Sequence, residues 1–83
     1  VCGEGATVGL PEVAVGVIPG GGGTQLVGRR IGWSRAARLI FTAAKIPARE
    51  AWDLGLVDEL VPAGGARERA LALAGQIAAN SPV

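Results

Sequence analysis

The chain has 83 residues, 49% of them hydrophobic, with eight basic residues, seven acidic residues and a formal net charge of +1. That length allows one domain at most, and a free domain so small would bury only about 60% of its unfolded surface. The near-balance of charge leaves no electrostatic footprint for nucleic acid, and no apolar run approaches the roughly 18 residues that a bilayer span requires.

Cys2 is the lone cysteine, so no internal disulfide forms and a reducing compartment fits. A nucleophilic thiol needs a histidine partner of the usual kind, and the chain has no His; Cys2 is expected to be a small buried apolar residue. The chain has no Met and begins at Val1, which reads as an excerpt of a longer chain. Ala and Gly supply much of the apolar content. A core of such side chains fills little volume, so large partner surfaces are expected to lie elsewhere.

Taken in order, Val1 to Val8 reads as a turn leading into a short strand near 6–9. Gly3 and Gly5 interrupt any helix, and Thr7 and Val8 favour extended backbone. Glu4, flanked by glycines, is expected to be an exposed turn carboxylate. Leu10-Pro11-Glu12 ends the strand, because Pro11 fixes its own φ and pushes Leu10 to an extended conformation. Glu12 thus stands at a stiff point between Leu10 and Val13, an apolar setting suited to general acid/base work; the bland alternative is a surface glutamate at a turn.

Valines alternate at 13, 15 and 17, which predicts an extended or irregular apolar segment up to Ile18. Pro19 ends it. Gly20 to Gly23 allows close backbone approach, and exposed N–H groups before a helix N-terminus would suit a water, a carbonyl or an anion. No Lys-Ser or Lys-Thr pair follows the glycines, so this is no P-loop, and it is no dinucleotide-binding fingerprint either.

A helix is expected over 24–31 with Leu26, Val27 and Ile31 inward, stopped by Gly32. Ser34 is a good N-cap for a second helix over 35–42, with Ala36, Leu39, Ile40 and Ala43 on one face. Trp33, in the link, is expected to pack as a core anchor. A third helix runs over 48–54, with Pro47 acceptable at its first turn and Gly55-Leu56 as a stop with an apolar contact back. Trp52 is expected to pack against its neighbours. Residues 56–61 form a short extended piece ended by Pro62. A last helix spans 66–79, with Ala66, Ala70, Leu73 and Ile77 on one face, and Asn80 and Pro82 end it.

The order of these pieces is more specific than any one of them. GLPE at 9–12, GVIPGGGGTQ at 16–25, LIFTAAKIPAREAWDLGLVDELVP at 39–62 and the closing AANSPV resemble the crotonase family, the enoyl-CoA hydratase/isomerase superfamily, from its late catalytic strand onward. The resemblance covers essentially the whole chain. It implies an α/β fold class: part of a crotonase-like β/α spiral, mostly helical here with two short strands. Residues 1–83 would be a fragment of a single domain, with a late core strand and active-site loop over 1–24, then helices and a short strand over 25–83.

The resemblance also implies chemistry. Family members bind an acyl-CoA thioester and hold an enolate-like oxyanion with two backbone N–H groups. Glu12 matches the second of two hydratase glutamates, which is also the proton shuttle of the family's isomerases. Gly20 matches the glycine whose N–H helps hold the catalytic water, and Val13 to Ile18 lies where the acyl pocket is walled. Glu12 and Gly20 are therefore the implied catalytic residues, and Pro11, Val13, Pro19 and Gly21 the implied substrate-binding ones. The CoA thioester is substrate, with no cofactor and no metal. The implied activity is hydration of trans-2-enoyl-CoA to 3-hydroxyacyl-CoA in fatty-acid β-oxidation or related acyl-CoA metabolism, in the cytoplasm, by a homotrimer or a hexamer of paired trimers. An enoyl-CoA isomerase and a non-catalytic acyl-CoA or partner binder are the alternatives.

Arg29, Arg30, Arg35 and Arg38 cluster with only Trp33 between them. A solvated or subunit-facing helix surface is the favoured reading, and aid to the phosphates of CoA the other. The sequence departs from the family at Ala43, where a helix-ending Gly is usual, and at Pro47, where a Ser N-cap is frequent. Both touch helix ends rather than chemistry. The upstream half of such a domain, with both oxyanion donors and the first glutamate, is not in these residues, so the 83 residues alone are expected to be inactive.

Overall fold

In a computed structural model, residues 1–82 are described. The elements run β1 (Cys2–Gly3), β2 (Thr7–Gly9), a 3-10 helix (Pro11–Val15), α1 (Gly23–Ile31), α2 (Trp33–Thr42), β3 (Lys45–Pro47), α3 (Ala48–Asp53), β4 (Leu60–Val61) and α4 (Ala66–Ala78). The mostly helical α/β reading holds. The two expected strands are β2 and β4, and each recruits a partner of its own length that the sequence did not signal. β1 runs parallel to β4 with Cys2 opposite Leu60. β2 runs antiparallel to β3 with Val8 opposite Ile46 and Gly9 opposite Lys45.

The core is small, as the Ala-rich composition predicts. Ile31, Ala36, Leu39, Ile46, Ala48 and Ala51 are buried, and Leu39 is the largest fully buried side chain. Val8, Val27, Ile40 and Leu56 pack around it. Helices α1 and α2 pack on each other, the 3-10 helix leans on α2, and α3 sits on the β2–β3 ribbon.

The stops behave as expected. Gly32 ends α1, its N–H donating to the Gly28 carbonyl at 2.9 Å. After α3, the Gly55 N–H donates to Trp52 at 3.0 Å and the Leu56 N–H to Ala51 at 2.9 Å, returning Leu56 to the core. Ion pairs then join elements across the surface. Glu4 pairs with Arg49 and Arg30 with Asp58, while Arg38 reaches Glu50 at 2.9 Å and Arg69 reaches Glu59 at 2.7 Å. Such exposed pairs contribute at most about 1 kcal/mol each, so they register neighbours more than they stabilise the fold. Glu4 is thus a paired carboxylate, and Arg30 and Arg38 of the arginine cluster are engaged within the chain.

Several expectations are corrected. Residues 13–15, expected to be extended or irregular, belong to a 3-10 helix over Pro11–Val15, because Pro11 at its start presets a helical φ and Gly16 closes it in the left-handed region at φ 81°; 16–18 lie outside any helix or strand. Ser34 is not the cap of α2: the helix starts one residue earlier at Trp33, with Gly32 as cap and no side-chain capping bond. Pro47 is the extended residue before α3 rather than part of its first turn. Leu26 is 61% exposed and Trp33 59% exposed, so neither is a core anchor. Cys2 is half-buried. The expected inward face of α4 has no buried residue, since no described element covers that helix.

Candidate active site

The candidate groups lie on two short segments. The first is β2 followed by the 3-10 helix. β2 is fixed by its pairing to β3, and Ala48 N–H donates to the Ala6 carbonyl at 2.9 Å, anchoring the strand's entry to α3. Pro11 then turns the chain, and Glu12 falls in the first turn of the 3-10 helix. The Glu12 main chain is held by its carbonyl, which accepts from the Val17 N–H at 3.2 Å. Its side chain is not held in the same way. Oε2 is buried and has no hydrogen-bond partner among the described residues. Leaving such an oxygen unpaired costs about 1–3 kcal/mol, a cost with no packing return in the chain itself.

The second segment is the loop from Ile18 to Gly22. Pro19 is buried, whereas Gly20 and Gly21 are exposed with open space where a side chain would stand. Gly22 has φ 91° and caps α1, its carbonyl accepting from Gln25 at 3.0 Å and Leu26 at 2.8 Å. That left-handed step turns the loop directly into the helix, a conformation that costs a non-glycine residue about 1–2 kcal/mol. The amides of Gly20 and Gly21 make no backbone hydrogen bond among the described residues. They stand just before a helix N-terminus, where N–H groups favour an oxygen acceptor or an anion.

The structure sorts the six candidate residues by environment. Glu12 and Val13 are half-buried, Pro11, Gly20 and Gly21 are exposed, and Pro19 is buried. Val15, Val17 and Ile18 are 78%, 55% and 75% exposed, so an apolar surface borders the carboxylate. A depression of about 100 Å³ lies on the other flank of Pro11, lined also by Thr7, Val8, Gly9 and Lys45; neither Glu12 nor Gly20 lines it. The residues missed in the sequence are Leu10 and Gly23. Leu10 and Pro19 both lie against Gly23, which ties the carboxylate segment to the glycine loop.

Chemically, the arrangement offers one carboxylate oxygen shielded from water and unpaired, a run of free backbone donors, and an apolar flank. It can move a proton next to an apolar ligand. No helix among the described residues is long and apolar enough to cross a membrane.

The family model described as enoyl-CoA hydratase/isomerase matches residues 1–83. A protein of Arabidopsis thaliana named "Probable enoyl-CoA hydratase 2, mitochondrial" is 48% identical over all 83 residues, which cover 28% of its own length. The 2,3-dehydroadipyl-CoA hydratase of Escherichia coli is 41% identical over the same 83 residues, 32% of its length. The crystal structure of an enoyl-CoA hydratase from Bacillus anthracis superposes with a TM-score of 0.89 at 45% identity, over 96% of this chain and 31% of that one. The chain therefore spans about 30% of the length of the relatives it matches.

Proposed function

The chain belongs to the enoyl-CoA hydratase/isomerase family, and from that premise we propose that these residues are the later part of a single-domain acyl-CoA enzyme in which Glu12 is an acid/base. The observation that carries the reading is the buried, unpartnered Oε2 of Glu12, at the family's Pro-Glu position. An unpaired buried carboxylate oxygen is retained where a ligand supplies its missing partner.

The reaction proposed is hydration of a trans-2-enoyl-CoA. The oxygen of water bonds to C3 of the acyl chain while a proton joins C2, giving a 3-hydroxyacyl-CoA. Glu12 acts with a carboxylate elsewhere in the full-length protein, one taking the proton of water and the other delivering a proton to C2. The Gly20 N–H holds the water. Pro11, Val13, Pro19 and Gly21 shape the acyl side, Pro19 by packing beneath the loop. Charge developing on the thioester oxygen needs its own donors, which belong to the rest of the protein. No cofactor is required, because the conjugated thioester itself makes C3 electrophilic and takes up the developing charge as an enolate that is protonated at C2.

The alternative is double-bond migration with Glu12 as sole proton shuttle; the family's double name favours keeping it in view. The resemblance supports a trimer or a pair of trimers. Cys2 fits a reducing compartment, and we place the protein in the cytoplasm, while the plant relative's name points to mitochondria.

The test uses the purified full-length protein with crotonyl-CoA and with a 3-enoyl-CoA, beside Glu12→Gln. Water addition should fall by about 10²–10⁴-fold in the variant, the usual weight of a general acid/base. Migration without hydration moves the reaction to the isomerase. An unchanged rate removes Glu12 from the chemistry.

A further inference from the structure

We propose that Gly23 is a positioning residue that sets the spacing between the Glu12 segment and the Gly20 loop; this rests on the reading of Glu12 and Gly20 given above. Gly23 opens α1 yet is not the glycine that needs an unusual backbone: the positive φ in the run belongs to Gly22. What Gly23 lacks is room. A Cβ built on it would stand 3.0 Å from Leu10 Cδ2, 3.7 Å from Leu10 Cδ1 and 3.2 Å from Pro19 Cβ. Those contacts lie on both sides of the site. Leu10 is two residues before Glu12, with the rigid Pro11 between them, and Pro19 immediately precedes Gly20. The bare Cα of Gly23 is thus the floor on which the two segments meet.

Two features make this spacing transmissible. Pro19 is buried with its φ locked by the ring, so it yields only by moving the backbone that carries Gly20. Leu10 is half-buried and more pliable, but its main chain is continuous with the proline that orients Glu12. One added methyl group therefore wedges the segments apart by a few tenths of an ångström. A misplacement of about 1 Å can cost 10²-fold in rate, so a few tenths should cost about three- to tenfold in kcat.

The test is Gly23→Ala in the full-length protein, with Leu10→Val alone and the Leu10→Val/Gly23→Ala double variant. Valine has no δ carbons and removes the nearest obstruction. Gly23→Ala should lower kcat about three- to tenfold with KM changed less than twofold, and the double variant should return to within about twofold of Leu10→Val. Crystal structures of Gly23→Ala and of the unaltered protein should show Leu10 and Pro19 further apart in the variant. An unchanged separation, or a widened one with unchanged kcat, overturns the role of Gly23. Glu12→Gln run in parallel keeps the two readings apart. If that variant is fully active the proposed chemistry falls, and the crystallographic separation still decides whether Gly23 is the spacer.

Discussion

The joint between α1 and α2 offers the sharpest test of how this small core is held. Gly28 is buried in α1, and the indole of Trp33 lies directly over it. A methyl group at residue 28 would overlap the ring at Cε3 and Cζ3 and stand 2.8 Å from Cδ2. Gly28→Ala therefore forces Trp33 to swing away. Trp33 is 59% exposed, so about 40% of its surface, roughly 100 Å², is covered. At about 25 cal/mol per Å² that cover is worth up to about 2.5 kcal/mol. Alanine in a helix interior returns about 1 kcal/mol over glycine. The net expectation is a loss of about 1.5 kcal/mol. In a Trp33→Ala background the overlap is gone, and Gly28→Ala should stabilise by about 1 kcal/mol. The assay is thermal unfolding of the four full-length proteins at one concentration, where 1 kcal/mol moves Tm by about 2–4 °C for domains of 150–250 residues. A Gly28→Ala change that raises Tm equally in both backgrounds would refute the stacking of Trp33 on Gly28.

Two further outcomes follow from the same structure. Ala43 is the one non-glycine with positive φ among the described residues, at 53°, held by Thr42 Oγ1, which accepts from the Ala44 N–H at 3.3 Å; Ala43→Gly should relieve part of an αL cost of about 1–2 kcal/mol, offset by up to about 1 kcal/mol of added chain entropy, and raise Tm slightly, while a lower Tm would show no strain there. An isolated 1–83 polypeptide should be inactive and show no cooperative thermal transition by calorimetry, since Val15, Ile18, Phe41 and Ile77 are each more than 70% exposed; a sharp transition would show that these residues form a complete core.

What was legible in the sequence depended on whether the governing physics was local. The ends of α1 and α3 were readable because glycine imposes them through its own backbone, and the inward face of α2 was readable because Ala36, Leu39 and Ile40 meet partners inside the chain. Of the two readings of residues 13–18, extended or irregular, the extended one failed over 13–15 by the same logic, while 16–18 are irregular. Alternating valines say only that apolar groups repeat, while Pro11 and Gly16 decide the backbone, and those two local constraints outweigh the period. β1 and β3 were not read: β1 falls in the glycine-flanked stretch read as a turn, and β3 is Lys45–Pro47, paired to β2 from far along the chain with Ile46 opposite Val8, which no local pattern shows.

The candidate site divides along the same line. The residues alone left Glu12 open between an acid/base and a surface turn glutamate, and it was the resemblance carried by GLPE and GVIPGGGGTQ that singled out Glu12 and Gly20. Leu10 and Gly23 could not be singled out, since their contact joins residues thirteen positions apart in sequence (10 and 23) and is visible only in space. The apolar pattern itself also misleads. Leu26, Trp33 and Ile77 were all assigned inward and are all more than half exposed. Exposed apolar faces of this kind are what a pattern suited to burial against further surfaces leaves when those surfaces are not present, and the chain spans about 30% of its relatives' length. Glu12 lies at the edge of such a face, beside the exposed Val15, Val17 and Ile18. Under the proposed function its unpartnered oxygen and its uncovered neighbours have one explanation: the groups that complete the site belong to the rest of the protein.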